Sequence, residues 1–337
     1  MSDDFRMRRL GRSGLVTGPL GVGTWAIGGP FFSGVGCRYP LGAPLGYGET
    51  DDRISIQTLR RAAELGITLF DTADAYGTGH GERIVGEALK DVRDRVLICT
   101  KFGNTYDEDR RELTGTNASP SYIREACYAS LKRLQTDWID LYQLHIGELP
   151  LDQAAIVADT LDDLCREGLV RYYGWSTDNP VCAAAFADRP AATAVQFDMN
   201  VFEDSPQIVE ICESRGFAGI VRLPLAMGFL TGKYSPASHL PADDIRSRPP
   251  AWLRYFKEGG STSREWHAAL EAVKEILSSS GRTLAQGALA WIWARSACTI
   301  PIPGARTVAQ IEENVGAMEF GPLTADQMSE IAALFRD

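Results

Sequence analysis

Histidine is scarce in this chain: four in 337 residues, at positions 80, 145, 239 and 267, with no His-Glu-x-x-His run among them. The seven cysteines, at 37, 99, 127, 165, 182, 212 and 298, form no Cys-x-x-Cys pair. Structural and catalytic metal sites draw on closely spaced imidazoles and thiolates, so no protein-held metal is expected. Most of the thiols fall inside apolar strand or helix patterns, where cysteine serves as a small buried hydrophobe rather than half of a disulfide. No apolar run approaches the roughly 18 residues that a membrane-spanning helix needs, and the opening MSDDFRMRRLGRSG has no apolar signal core. A cytoplasmic protein without a membrane partner is expected. Positive charge is also short, with 34 Lys and Arg against 44 Asp and Glu and a net charge of −10. That field repels nucleic acid, and an anionic ligand has to meet a local cluster of cations.

What is present is ordinary globular material, 45% hydrophobic and 23% charged. Eight short β-rich runs recur, at 21–27, 67–73, 95–102, 138–145, 170–176, 194–200, 218–224 and 298–304. They are nearly continuous in apolar residues, as strands covered on both faces should be. Helical stripes fill the gaps, for example Leu151, Ala154, Ala158, Leu161, Leu164 and Cys165 within 151–168. Ser119-Pro120 and Ser205-Pro206 read as N-caps followed by first-turn prolines. Thr324 with Gln327 reads as a capping box. Strands alternating with helices, without a linker, predict a single-domain α/β chain over 1–337, a (β/α)₈ TIM barrel. The rival is a doubly wound sheet opened by GVGTWA (21–26), which fits Gly-x-Gly-x-x-Ala. It fails because IGGP follows where that motif must begin a helix. Two Gly- and Pro-rich stretches, 28–50 and 232–262, predict long loops serving a site.

Polar residues fall at the C-terminal ends of these strands, which converge on one mouth in a parallel barrel. Asp71 ends the second, with Tyr76 just beyond it. Lys101 ends the third and His145 the fourth, Ser176 the fifth, Gln196 lies on the sixth and Arg222 on the seventh, and Arg306 follows the eighth. The first four suit proton transfer to an oxygen. A phenol with an ordinary pKa of about 10 is a proton donor at neutral pH. It becomes a better acid beside a cation such as Lys101, which Asp71 would keep charged and aimed. Neutral His145 would orient a carbonyl. Lys101 also permits Schiff-base chemistry, but a neighbouring Asp71 raises its pKa and opposes that.

The order and spacing of these motifs make the chain resemble the aldo-keto reductases. LGRSGL and GVGTW resemble the opening of that family, and ELGITLFDTADAYGTGHGERIVGEAL its Asp/Tyr segment. ICTKFG and ASLKRLQTDWIDLYQLH resemble its lysine and histidine segments, and PLAMGFLTGKY and IPIPGARTVAQIEENVGA its cofactor-binding segments. The resemblance implies a barrel that binds NADPH, with NADH weaker. The substrate would be a small carbonyl compound or alcohol, Tyr76 the acid, Lys101 and His145 its tuners, and Asp71 the lysine's partner. Carried over by position, Gly23, Thr24 and Trp25 border the nicotinamide, and Ser176 and Gln196 hold its carboxamide. Pro224, Leu225, Gly228, Gly232 and Lys233 line the pyrophosphate. Gly304, Arg306, Gln310, Glu313 and Asn314 take the adenosine end, with Arg246 added from the long loop.

The chain departs from the family pattern in three places. Thr177 stands where asparagine is common beside the carboxamide, Arg222 where an aromatic often stacks on the nicotinamide, and IGELP replaces the usual Asp-containing segment after the histidine. Arg306, at the start of a helix, sits against the helix dipole unless a phosphate joins it. Thr307 and Gln310 also fit a capping box. An aromatic set, Trp25, Phe31, Phe32, Phe102, Trp175, Trp252, Tyr255 and Phe256, is expected around the substrate. The alternative function is a regulatory NADPH-binding subunit with little turnover, as in the potassium-channel β subunits that resemble this family. Nothing in the sequence identifies a protein partner.

Overall fold

The computed structural model describes residues 3–335, so the outermost residues of the expected 1–337 span, 1–2 and 336–337, lie outside the described residues. All eight expected strands are present. They run Val22–Gly23, Leu69–Asp71, Leu97–Phe102, Ile139–Leu144, Val170–Ser176, Ala192–Asp198, Ala218–Arg222 and Thr299–Pro301, and we call them barrel strands one to eight. They pair in parallel and in sequence order. Closure comes from a parallel bridge between Gly23 and Gly304 and from the Gly23 N–H donating to the Pro303 carbonyl at 3.2 Å. The product is a (β/α)₈ barrel. After GVG only a single 3₁₀ turn, Trp25–Ile27, follows, and the first α-helix waits until Asp52–Glu64.

Side-chain parity explains where the polar residues go. Successive residues of a strand face opposite sides of the sheet. Leu69, Leu97, Cys99, Leu141, Ala194, Ile220 and Ile300 share one buried cluster with Leu10, the barrel interior. Their partners on the other parity, such as Phe70, Ile98, Tyr142, Leu144 and Val221, pack in the larger cluster against the helices. Two residues further along the inward parity, the same strands present Asp71, Lys101, Gln143, Gln196 and Arg222. The interior is therefore apolar below and polar at its C-terminal end. The N-terminal hairpin, Arg8–Arg9 with Val16–Thr17, supplies Leu10 as a fully buried plug of the apolar end. Burying that side chain stabilises the fold by about 2 kcal/mol.

The helices agree with their sequence signals in most places. Pro120–Leu134 is capped by Ser119, whose Oγ accepts from the Tyr122 N–H, and Leu151–Arg166 buries Ala154, Ala158, Leu161 and Leu164 of its expected stripe, whereas Leu151 is exposed and Cys165 half-buried. Thr324 and Gln327 form the full capping box. Ser205 corrects the expectation: it does not cap Pro206–Arg215, because its hydroxyl donates instead to the Asp198 carbonyl at 2.7 Å.

The two long loops are more ordered than their composition predicts. Phe32–Ser33 pairs with a hairpin, Asn104–Asp107 and Glu112–Thr116, that follows the third barrel strand and carries no strong turn signal in the sequence. The loops also join each other across the mouth, through an antiparallel bridge between Tyr47 and Asp244 and the Ile245 N–H to the Gly46 carbonyl at 2.8 Å.

Candidate active site

Asp71 and Lys101 stand on adjacent barrel strands, 2% and 0% exposed, with Lys101 Nζ 2.6 Å from Asp71 Oδ2. Such a pair is tolerable only when its remaining lone pairs and protons are also satisfied. Here they are. Lys101 Nζ also donates to the Thr72 carbonyl at 2.8 Å and meets Tyr76 Oη at 3.2 Å. Asp71 Oδ1 accepts from Gln196 Nε2 at 2.8 Å and Gln143 Nε2 at 3.3 Å. Gln143 was not singled out from sequence. Its signal was parity: it lies two residues before His145 and pairs in register with Lys101.

Tyr76 sits on the turn after the second strand, its ring 6.0 Å from Trp25 in a stacked arrangement and 6.1 Å from His145 edge-on. Gly77 fixes that turn. Its φ is 58°, and a Cβ there would lie 1.8 Å from the Gly28 carbonyl oxygen, so glycine alone lets the Trp25 loop close onto Tyr76. His145 follows the fourth strand, its N–H bonded to the Phe102 carbonyl at 2.7 Å and its own carbonyl held by Asn104 Nδ2 at 3.2 Å.

Burial sets the protonation states. It lowers the His145 pKa well below the usual imidazole value, and Lys101, Arg222 and Arg38 push the same way, so the ring is neutral at pH 7. Burial raises Tyr76 above the usual phenol value, Lys101 pulls it down, and Asp71 pushes it up. The net shift is upward, so the expected acidification by Lys101 acts as a restraint on a larger desolvation effect. For Lys101, burial alone would favour the neutral amine, but Asp71 and Tyr76 outweigh it and the pKa is raised. A protonated ammonium is no nucleophile, which removes the basis for a Schiff base.

A cleft of about 1680 Å³ runs from Tyr76 and His145 across the barrel mouth to the helix after the eighth strand. Gly23, Thr24, Trp25, Ser176, Gln196, Arg222, Pro224, Leu225, Gly228, Lys233, Arg246, Gly304, Arg306, Gln310, Glu313 and Asn314 line it. Two expected contacts do not. Thr177 is buried, its hydroxyl bonded to the Gly147 carbonyl, and Gly232 turns the chain with φ 75° outside the cleft lining. Of the expected aromatics, Trp25, Phe31 and Trp252 line the cleft, whereas Phe102, Trp175, Tyr255 and Phe256 are core. Phe32 pairs with the hairpin, and Tyr39, Tyr47 and Tyr234 line the cleft instead.

The arginines differ in how they are held. Arg222 lies between two carboxylates, Asp178 and Asp198, with Nε 2.8 Å from Asp198 Oδ1, so its charge beside the site is compensated. Every guanidinium nitrogen of Arg246 is bonded within the chain, to Asp244, Tyr234 and the Met227 carbonyl. It is a buried brace of the long loop. Arg306 donates to the Tyr47 carbonyl at 3.0 Å and to the Glu49 carbonyl, fastening the first loop beside the helix Val308–Gly316. Thr307 caps that helix, but Gln310 reaches back to the Arg306 N–H at 2.8 Å rather than to Thr307, a shifted form of the expected box.

The cleft suits an elongated, anion-bearing ligand with amide-like ends. Thr24 Oγ1, His145 Nδ1, Gln196 Oε1 and Asn314 Nδ2 are buried without a hydrogen-bond partner among the described residues, and all four residues line it. Buried polar atoms are seldom left unpaired, so four along one groove mark a place for a ligand's own donors and acceptors. Between them, Leu223, Ala226 and Met227 hold φ of 52°, 48° and 58°, a strained stretch beside Gly228.

Comparison with known proteins agrees with this geometry. A sequence model of the Aldo/keto reductase family matches residues 19–336. The "Aldo-keto reductase yakc [NADP(+)]" of Schizosaccharomyces pombe is 33% identical over 299 residues, 85% of this chain and 83% of the relative. The "Uncharacterized oxidoreductase YqkF" of Bacillus subtilis is 30% identical, covering 97% and 95%. Among solved structures, the holo form of aldo-keto reductase AKR11C1 from Bacillus halodurans superposes with a TM-score of 0.77 at 28% identity, covering 98% of this chain and 97% of that one. The glycerol dehydrogenase AKR11B4 from Gluconobacter oxydans superposes with a TM-score of 0.80 at 26% identity, covering 99% and 95%.

Proposed function

This chain belongs to the aldo/keto reductase family, and we propose that it is an NADPH-dependent oxidoreductase, a single barrel unit over 1–337. It reduces an aldehyde, ketone or keto-sugar to the alcohol, or runs the reverse oxidation. One observation carries the reading: Tyr76 Oη lies 3.2 Å from an ammonium that is itself 2.6 Å from Asp71, at the end of a long cleft beside a neutral histidine. That is a proton donor with a buried charge behind it. The name of the fission yeast relative specifies NADP(+), which supports the choice of cofactor.

When bound, a reduced nicotinamide supplies the hydride. Ser176, Thr24 and the free Oε1 of Gln196 would hold its carboxamide end, with Arg222 along the wall. Leu223 to Gly228 and Lys233 would follow the pyrophosphate, and Arg306, Gln310, Glu313 and Asn314 would take the adenosine end. Arg246 and Gly232 act through the loop they shape, and Thr177 through Gly147. The chain's own chemistry is protonic. His145 hydrogen-bonds to the substrate carbonyl and orients it. Tyr76 passes its proton to the carbonyl oxygen as the carbon is reduced, and the tyrosinate that remains is held by Lys101. Asp71, fixed by Gln143 and Gln196, keeps that lysine charged. In the oxidation direction the proton returns from the alcohol to the tyrosinate.

The test is NADPH consumption across aldehydes, cyclic ketones and keto-sugars, with reverse assays on sugars and polyols. Turnover on at least one class is expected. Tight NADPH binding with no turnover on any would replace this reading with the regulatory one. Two further results are expected from the same assay. Arg306→Ala should raise the KM for NADPH far more than for NADH, because only NADPH carries a 2′-phosphate for the guanidinium. Equal losses would mean that Arg306 acts only by fastening residues 47–49. The pH profile of reduction should be flat through the neutral range. Tyr76 is active when protonated and is lost only as pH rises through a pKa displaced above the ordinary value of about 10. An inflection near 6.5 would show His145 titrating and would contradict its neutral state.

A further inference from the structure

Besides burial, three cations push the His145 ring toward its neutral form: Lys101, Arg222 and Arg38. Two of them are compensated, Lys101 by Asp71 and Arg222 by Asp178 and Asp198. Arg38 is not. Its contacts among the described residues are with Tyr39 alone, Nη2 to Tyr39 Oη at 2.8 Å and the guanidinium 4.9 Å from the ring centre. In a chain of net charge −10, Arg38 is an exposed cation lining the cleft with no acidic partner among the described residues, and Lys233, the other such cation, is assigned to the pyrophosphate.

The neighbouring groups are donors too. Tyr39 Oη accepts from Arg38 and also from Trp252 Nε1 at 3.3 Å. With both incoming hydrogens on the oxygen, the tyrosine's own O–H is left to donate elsewhere. Arg38, Tyr39 and Trp252 all line the cleft. An aromatic wall connects them to the chemistry: Trp252 lies 6.5 Å from Trp25, which stacks on Tyr76 at 6.0 Å. Glu148, which also lines the cleft, accepts from Asn179 Nδ2 at 3.3 Å.

We propose that the substrate carries an anionic group, a carboxylate or a phosphate, which the Arg38 guanidinium and the Tyr39 hydroxyl bind at the rim while its carbonyl lies at Tyr76 and His145. The inference rests on the carbonyl-reductase reading above and narrows it to anion-bearing carbonyl compounds of linear form, laid along Trp252 and Trp25. Arg38 is then a specificity determinant, distinct from the cations assigned to the cofactor.

The test compares a homologous series of ω-carboxy aldehydes with their methyl esters, and a phosphorylated aldehyde with its alcohol, in wild type, Arg38→Gln and Arg38→Glu. In wild type, kcat/KM should favour the anionic member of at least one pair, and the preferred pair identifies carboxylate or phosphate. Arg38→Gln should lower the anion-to-neutral ratio by about tenfold, the size of one charge-assisted contact. Arg38→Glu should invert the preference. Preference for the anion should also weaken as salt rises, because the site is exposed. Equal kcat/KM for both members of every wild-type pair, or an unchanged ratio in both variants, overturns the proposal while leaving the reductase reading intact. Failure of wild type to turn over any aldehyde, ketone, keto-sugar or alcohol, charged or neutral, overturns both.

Discussion

Tyr76→Phe should lower kcat for carbonyl reduction by about 10²- to 10⁴-fold, the usual worth of a positioned general acid. The affinity for NADPH should stay near its wild-type value. Phenylalanine keeps the ring that stacks on Trp25 and meets His145 edge-on, so the shape of the cleft is retained. What is lost is the proton and the 3.2 Å contact with Lys101. Steady-state reduction with the best carbonyl of the panel, together with a cofactor titration by protein fluorescence, checks both halves. Native turnover in the variant would mean that the proton comes from elsewhere, and the assignment would be abandoned. Lost turnover together with lost cofactor binding would point to a collapsed cleft instead, which a Tyr76→Trp comparison would expose.

Lys101→Met should damage stability as well as turnover. The lysine is 0% exposed and bonded to Asp71, the Thr72 carbonyl and Tyr76, so its removal leaves a buried carboxylate facing only the amides of Gln143 and Gln196. Breaking a buried pair at one partner typically costs ~3–5 kcal/mol, because the surviving charge stays desolvated. A Tm lower by several degrees is the expected result. The double variant Lys101→Met with Asp71→Asn separates the two roles. It removes the stranded charge and should recover much of the stability, yet it should stay inactive, because nothing then holds a tyrosinate at position 76. If the double variant regained turnover along with stability, the lysine would be a structural residue only.

The sequence carried the barrel because each of its signals is local. A run such as ICTKF has the apolar continuity of a strand covered on both faces, whatever surrounds it, and all eight such runs became the eight paired strands. The positions of Asp71, Lys101, Gln196 and Arg222 at strand ends were legible for the same reason, since strand direction alone gathers those ends at one mouth. Gln143 lay within reach of this logic, because its inward parity follows from its pairing with Lys101.

Other assignments needed contacts that no spacing encodes. Arg246 and Arg306 look alike in sequence as loop or helix-start cations. In the fold one is consumed by Asp244, Tyr234 and a carbonyl, and the other fastens residues 47 and 49. Of the aromatic wall that the sequence predicts, Phe32, Phe102, Trp175, Tyr255 and Phe256 do not line the cleft. Apolar rings serve core and cleft equally well, and only packing decides which face of a strand or loop meets solvent.

By itself, then, the order of residues determined the barrel and the convergence of its polar strand ends, Asp71, Lys101 and Gln196 among them, on one mouth, since these depend on periodicity and chain direction. Tertiary structure alone decided which charges are compensated. Pairing is a matter of a few ångströms between residues far apart in the chain, as between Arg222 and Asp178, or between Lys101 and Asp71. That is why Arg38, unremarked among 34 basic residues, emerges only in three dimensions as a cleft-lining cation near His145 with no acidic partner among the described residues.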